Sequence, residues 1–217
     1  MARYPVPAAE ARIEIQVLNS RFIATAAPAF SVDEAKAFVA RIRAEFPDAT
    51  HNVPVFLVGH GASVIAHAGD DGEPSGTAGR PALAVLQGSG LGDVAVVITR
   101  YFGGTKLGTG GLVRAYGDAV RAILEVLPRA HKVPTHTLLI ATPYPLFERV
   151  RRAAEGHGGE ILDEEFGAEV TVLARFPQAR VPAFRAAVQE LSTPAPHPGA
   201  RAHTVEVEVV ASDEATI

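Results

Sequence analysis

Two glycine-rich stretches hold most of the residues in this 217-residue chain whose types and spacing could do chemistry. The first runs Asp70-Asp71-Gly72-Glu73-Pro74-Ser75-Gly76-Thr77-Ala78-Gly79-Arg80 and sets three carboxylates among turn formers. Oxygen ligands this close together are the kind Mg²⁺ takes, and Asp71 or Glu73 could serve as a general base. The same carboxylates would equally well cap the turn and the next helix, or pair with Arg80 and Arg100. The second stretch is Gly103-Gly104-Thr105-Lys106-Leu107-Gly108-Thr109-Gly110-Gly111, followed by an amphipathic segment. Gly108, Thr109, Gly110 and Gly111 lead into a helix start, where exposed amides and the helix dipole favour an anion. Lys106 and Arg114 flank it. The plainer reading is that these glycines only allow a tight strand-to-helix turn.

Several named chemistries find no support. Gly103 and Gly108 have P-loop spacing, but Thr109 stands where the lysine belongs, and Val113 occupies the third glycine position of a dinucleotide fingerprint. Ser75 is not in a nucleophile elbow. With no cysteine there is no disulfide, thiolate or Cys-ligated zinc, and His51, His60 and His67 are too scattered to indicate a metal. No cofactor and no metal are expected.

Charge is unevenly spread. Residues 1–133 carry 13 Lys/Arg against 12 Asp/Glu, and residues 134–217 carry 7 against 12, within a net charge of −4. Residues 100–132 hold six basic groups (Arg100, Lys106, Arg114, Arg121, Arg129 and Lys132) and only two acidic ones. A phosphate backbone would suit that stretch, and a solvated helix face would explain it as well. Tyr101 and Phe102 offer rings for stacking on an unpaired base, with core packing the expectation for Phe102.

The elements that must position these residues follow from periodicity. Ile13, Ile15 and Val17 alternate as in a half-buried strand, followed by a short strand over 22–26. Ser31 and Glu34 form a capping box ahead of a helix ended by Pro47. Strands are expected over 53–58, where Pro54 suggests an edge or bulge, over 64–68 and over 94–98. Helices are expected from Thr77 through Gln87 and from the second loop to Pro128. Beyond a boundary near 129–134, strand 135–141, helix 146–155, strands 161–166 and 169–176, a helix from Pro182 and strand 204–210 give βαββαβ, a ferredoxin-like order. A turn lies at 193–198. The fold class is therefore α+β, with domains at 1–133 and 134–211 and a disordered tail at 212–217. Without a signal-peptide core or a run of about 18 apolar residues, the chain is expected to be cytoplasmic and not membrane-bound.

The two motifs Asp71–Pro81 and Thr99–Tyr116, in order and at the family's separation, resemble the bacterial branch of the IMPACT/YigZ family, and Asn19-Ser20-Arg21-Phe22 resembles its early Ser-Arg-Phe element. Where relatives often have a His pair, this chain has His51-Asn52. The resemblance covers nearly the whole chain. It implies a first domain with the left-handed βαβ fold of ribosomal proteins and elongation-factor domain IV, and a ferredoxin-like second domain resembling domain V. Eukaryotic relatives regulate translation, so the resemblance implies RNA, a ribosome or a translation factor as partner, with no DNA expected. The expected role is a non-enzymatic binding protein. The alternative is a hydrolase or transferase acting on a phosphorylated or carboxylated small molecule, with Asp71 and Glu73 in catalysis. The oligomeric state is left open.

Overall fold

The computed structural model describes residues 4–192 and 205–216, in two compact units, Tyr4–His131 and Lys132–Ala215. In the first unit, β1 (Tyr4–Pro7) precedes β2 (Ala11–Val17), β3 (Ser20–Pro28), α1 (Val32–Glu45), β4 (His51–Val58) and β5 (Ile65–Ala68). Then come α2 (Gly79–Gly88), β6 (Val94–Tyr101) and α3 (Gly108–Val126). The sheet runs β2-β3-β6-β4-β5 with antiparallel neighbours throughout. Because β6 opposes both β3 and β4, those two run parallel, and β3-α1-β4 is a βαβ crossover with β6 between its strands.

Val94 to Ile98 are fully buried because this central strand is covered on both faces. On one face α2 and α3 pack over Phe22, Val53, Val96 and Ile98. On the other, α1 sets Phe38, Val39 and Ile42 against Phe56, Ala95 and Val97. Ser31 caps α1 as expected, its Oγ accepting the Glu34 N–H, while the Glu34 carboxylate takes the N–H of Phe30, one residue before the cap.

Pro54 pairs with β6 on one side and lies beyond the β4–β5 ladder on the other, so β4 is locally an edge there. Its carbonyl accepts the Gly69 N–H, one residue past the end of the β4–β5 ladder, so its nitrogen faces the side where no strand needs a donor. α2 starts at Gly79 instead of Thr77, since Thr77 Oγ1 donates to the Pro74 carbonyl and the cap comes from Asp70. β1 gave no strand pattern, because two of its four residues are proline.

In the second unit, β7 (Arg129–Thr142) is followed by α4 (Tyr144–Gly156), β8 (Glu160–Phe166), β9 (Val170–Pro177), α5 (Val181–Ser192) and β10 (Glu206–Thr216). β9 lies between β7 and β8, antiparallel to each, and β10 pairs with β7, which is the ferredoxin-like order. Leu138, Ile140, Val172 and Phe176 meet Val150 and Phe184 in its core. The segment 129–134, where the boundary was expected, is the first part of β7. β10 runs to Thr216 where a disordered tail was expected, since pairing with β7 does not require the apolar alternation that is missing there. The expected turn at 193–198 and Thr204 lie outside the described residues.

Candidate functional site

Strand register creates the site. Arg100 on β6 is opposite Phe22 on β3 and His51 on β4, so the three lie side by side beneath α3. The loop after β5 lays Glu73 over them. The Arg100 Nη1 group donates to Glu73 Oε1 at 2.5 Å, and Tyr116 Oη on α3 donates to the same oxygen at 2.7 Å. Arg100 Nη2 reaches Ser20 Oγ at 3.3 Å, and the guanidinium stands over the rings of Phe22 and Phe102. Burial pushes the Tyr116 phenol well above the usual tyrosine range, and its bond to Glu73 adds to that. It therefore stays a donor. Within this cluster Arg100 is 5% exposed, and its fully buried Nε has no hydrogen-bond partner among the described residues.

The acidic loop is held by its own first two residues. Asp70 accepts the N–H groups of Gly76, Ala78 and Gly79, and so caps α2. Burial works to raise the Asp70 pKa, but these three amides and Arg80 outweigh it and lower it. Asp71, at φ 47°, takes the Arg43 guanidinium on one carboxylate oxygen and the Asn52 N–H on the other. Its carbonyl accepts from His51 Nδ1 at 2.7 Å, which leaves His51 Nε2 3.7 Å from Glu73 Oε1. The three carboxylates thus go to three separate sets of partners. Among the described residues no group of three or more His, Cys, Asp or Glu is arranged to hold a metal. This geometry gives no support to a Mg²⁺ site on Asp70, Asp71 and Glu73. His60 stacks on Tyr4 and His67 on Phe56, well apart from His51 in their contacts.

A cleft of about 390 Å³ opens above the ion pair. Thr50, His51, Glu73, Pro74 and Arg100 line it from the sheet and the acidic loop, and Phe102, Lys106, Leu107, Gly108, Thr109 and Leu112 line it from the second loop and α3. Leu107 precedes the first turn of α3 and offers no side-chain cap, so the leading amides of the helix have no capping side chain. Gly103 has a packing reason to be glycine: a Cβ there would lie 1.8 Å from the Asn19 carbonyl oxygen. Gly110 has none, since a Cβ would meet nothing within 4 Å and its φ is not left-handed.

The residues singled out in the sequence divide accordingly. Glu73, Pro74, Arg100, Lys106, Gly108 and Thr109 meet at the cleft, with Gly110 and Gly111 in the same helical turn. Gly72 and Gly76 take positive φ in the acidic loop, and Gly104 does so in the second loop. Tyr101 is directed elsewhere, to Asp48 and under Arg21. Arg114 and Arg121 lie on the exposed face of α3, where Arg121 pairs with Asp118. Phe102 is 46% exposed at the cleft rim rather than packed in the core. His51, Tyr116 and Ser20 join the site without having been singled out for it. The signal for His51 was its position at the start of β4, which register sets opposite Arg100.

Fold and site together define a two-domain α+β protein with a buried Glu–Arg–Tyr cluster under an uncapped helix start. The chain belongs to the IMPACT family. Residues 18–124 match the Impact N-terminal domain, and residues 140–193 match a domain of unknown function, DUF1949. The chain is 37% identical over 193 residues to the IMPACT family member YigZ of Escherichia coli (strain K12), covering 88% of this chain and 95% of that protein. It is 36% identical to an IMPACT family member of Haemophilus influenzae (strain ATCC 51907 / DSM 11121 / KW20 / Rd), covering 89% and 94%. A crystal structure described only as that of a hypothetical protein aligns with a TM-score of 0.62 at 34% identity, over 97% of this chain and 98% of the other.

Proposed function

We propose that this chain is a non-enzymatic binding protein acting in translation, which takes a phosphate-bearing nucleotide of RNA, free or displayed on the ribosome, into the cleft. The observation that carries this reading is the convergence on one cleft of Lys106, the uncapped start of α3 and the buried, incompletely partnered Arg100. Amides at a helix start and a lysine hold a phosphate without selecting a base. Exposed Phe102 at the rim supplies a ring for base stacking. Arg114, exposed on the same helix, provides a second phosphate contact, while Arg121 is partly neutralised by Asp118. The translational setting rests on the family, whose eukaryotic members regulate translation. An enzyme using Asp71 as base is less well supported, because both oxygens of that carboxylate are occupied.

The test is co-sedimentation of the full chain with ribosomes across a salt series. Binding that weakens with salt and is lost in Lys106→Ala/Arg114→Ala supports the reading. Absence of binding at low salt, or binding indifferent to that double variant, refutes it.

A further inference from the structure

We infer that the helix-free face of the second unit's sheet docks a basic amphipathic helix of a protein partner, an inference that does not depend on the RNA reading above. Strand register sorts the side chains of this sheet. Leu138, Ile140, Val172 and Ala174 pack with α4 and α5, so both helices of the unit lie on one face. The residues that alternate with them point to the other face. There Leu139 is opposite Leu173 and Ala141 is opposite Thr171, all four half-buried. On β8, Asp163 is opposite Leu173 and Glu165 is opposite Thr171, so both carboxylates share that face. β10 pairs with β7, and its Val205 and Val207 pack against the core, which turns Glu206 and Glu208 to the same side. These four carboxylates are exposed and make no ion pair among the described residues. Farther along the face, Glu160 is met by Arg175 at 3.8 Å.

The face is thus an apolar strip along β7 and β9 with acidic residues on the strand at each side. Charge complementarity names its occupant. Four unpaired carboxylates repel the phosphate backbone of a nucleic acid and attract Lys and Arg. The half-buried leucines supply the apolar centre that an acidic rim alone would lack. From β10 to β8 is three strand spacings, about 14 Å. A helix about 10 Å across lies between the two acidic rows, and lysine or arginine side chains reach both from its flanks. The partner helix therefore carries a narrow apolar stripe bordered on each side by basic residues.

The probe is a synthetic amphipathic helix with an Ala/Leu stripe flanked by lysines, titrated into the ¹⁵N-labelled full chain and followed by NMR and fluorescence anisotropy. Amide shifts are expected at 139–141, 163–165, 171–173 and 206–208. Glu165→Lys/Glu208→Lys, at two exposed positions, is expected to weaken binding about tenfold at low salt, with the gap closing as salt rises. A peptide of the same composition with its stripe scrambled is expected to bind more weakly than the ordered one. Equal binding of the scrambled peptide, indifference to the charge reversal, or shifts confined to other residues overturns the inference. So does self-association of the native chain that the charge reversal abolishes, which makes a second copy the occupant, or a single-stranded RNA that shifts the same amides. The shift map and the scrambled peptide are read on the native chain and decide the matter even if the variant does not fold.

Discussion

The buried pair Glu73–Arg100 makes the strongest energetic prediction. Their side chains are 3% and 6% exposed, so water does little to screen either charge. Glu73→Gln keeps the shape of the side chain and removes its charge. That leaves the Arg100 guanidinium, whose Nε already has no partner, as an uncompensated cation. Breaking such a pair from one side costs about 3–5 kcal/mol. For a unit the size of Tyr4–His131, this corresponds to a fall of about 10–20 °C in its unfolding transition. Replacing both partners, as Glu73→Leu/Arg100→Met, removes the stranded charge and is expected to restore more than half of the loss. Glu14→Gln, which breaks an exposed pair with Arg21, serves as the control and is expected to shift the transition little. Scanning calorimetry of the three variants is the assay. A Glu73→Gln transition within about 3 °C of the native one would refute the view that this pair is a dehydrated keystone under the cleft.

Two further predictions concern the loops. Asp70→Ala removes the acceptor for three amides at the start of α2 and is expected to cost about 1 kcal/mol at neutral pH, read by denaturant unfolding. Because the folded pKa of Asp70 is lowered, that contribution is complete above the ordinary carboxylate range and is lost as pH falls through the folded value. The difference between native and variant should therefore shrink in acid and should not grow. Gly110→Ala adds a methyl group where nothing lies within 4 Å, so the variant is expected to melt at or slightly above the native temperature while binding RNA several-fold more weakly. Unchanged binding would make Gly110 an ordinary helix residue.

Much of this molecule was legible in its sequence because the relevant signals are local. The Ser31–Glu34 box, the apolar run of β6 and the βαββαβ order of the second unit all lie within a few residues of what they determine. The glycines of both loops announced an unusual backbone. The cleft floor was not legible, because it is made by pairing across long distances in the chain. Ser20 meets Arg100 across 80 positions, Tyr116 meets Glu73 across 43, and His51 faces Arg100 only through strand register. Phe102 was misjudged for a related reason. Its apolar side chain suggested the core, but the chain leaves β6 just before it and sets the ring at the rim. In the acidic loop the sequence left a choice between oxygen ligands for a cation and carboxylates that cap the turn and pair with Arg100, and the contacts are of the second kind. At Asp71 the backbone turns through a positive φ and sends neighbouring carboxylates to different partners.

The central claim is that Lys106 and the start of α3 hold a phosphate of RNA. Its most direct test is the slope of log affinity against log salt for a short single-stranded RNA, compared between the native chain and Lys106→Ala. Lys106→Ala is expected to bind more weakly, with a slope shallower by about 0.7, the signature of one lost phosphate contact to a single strand. Parallel lines with equal affinity would contradict it.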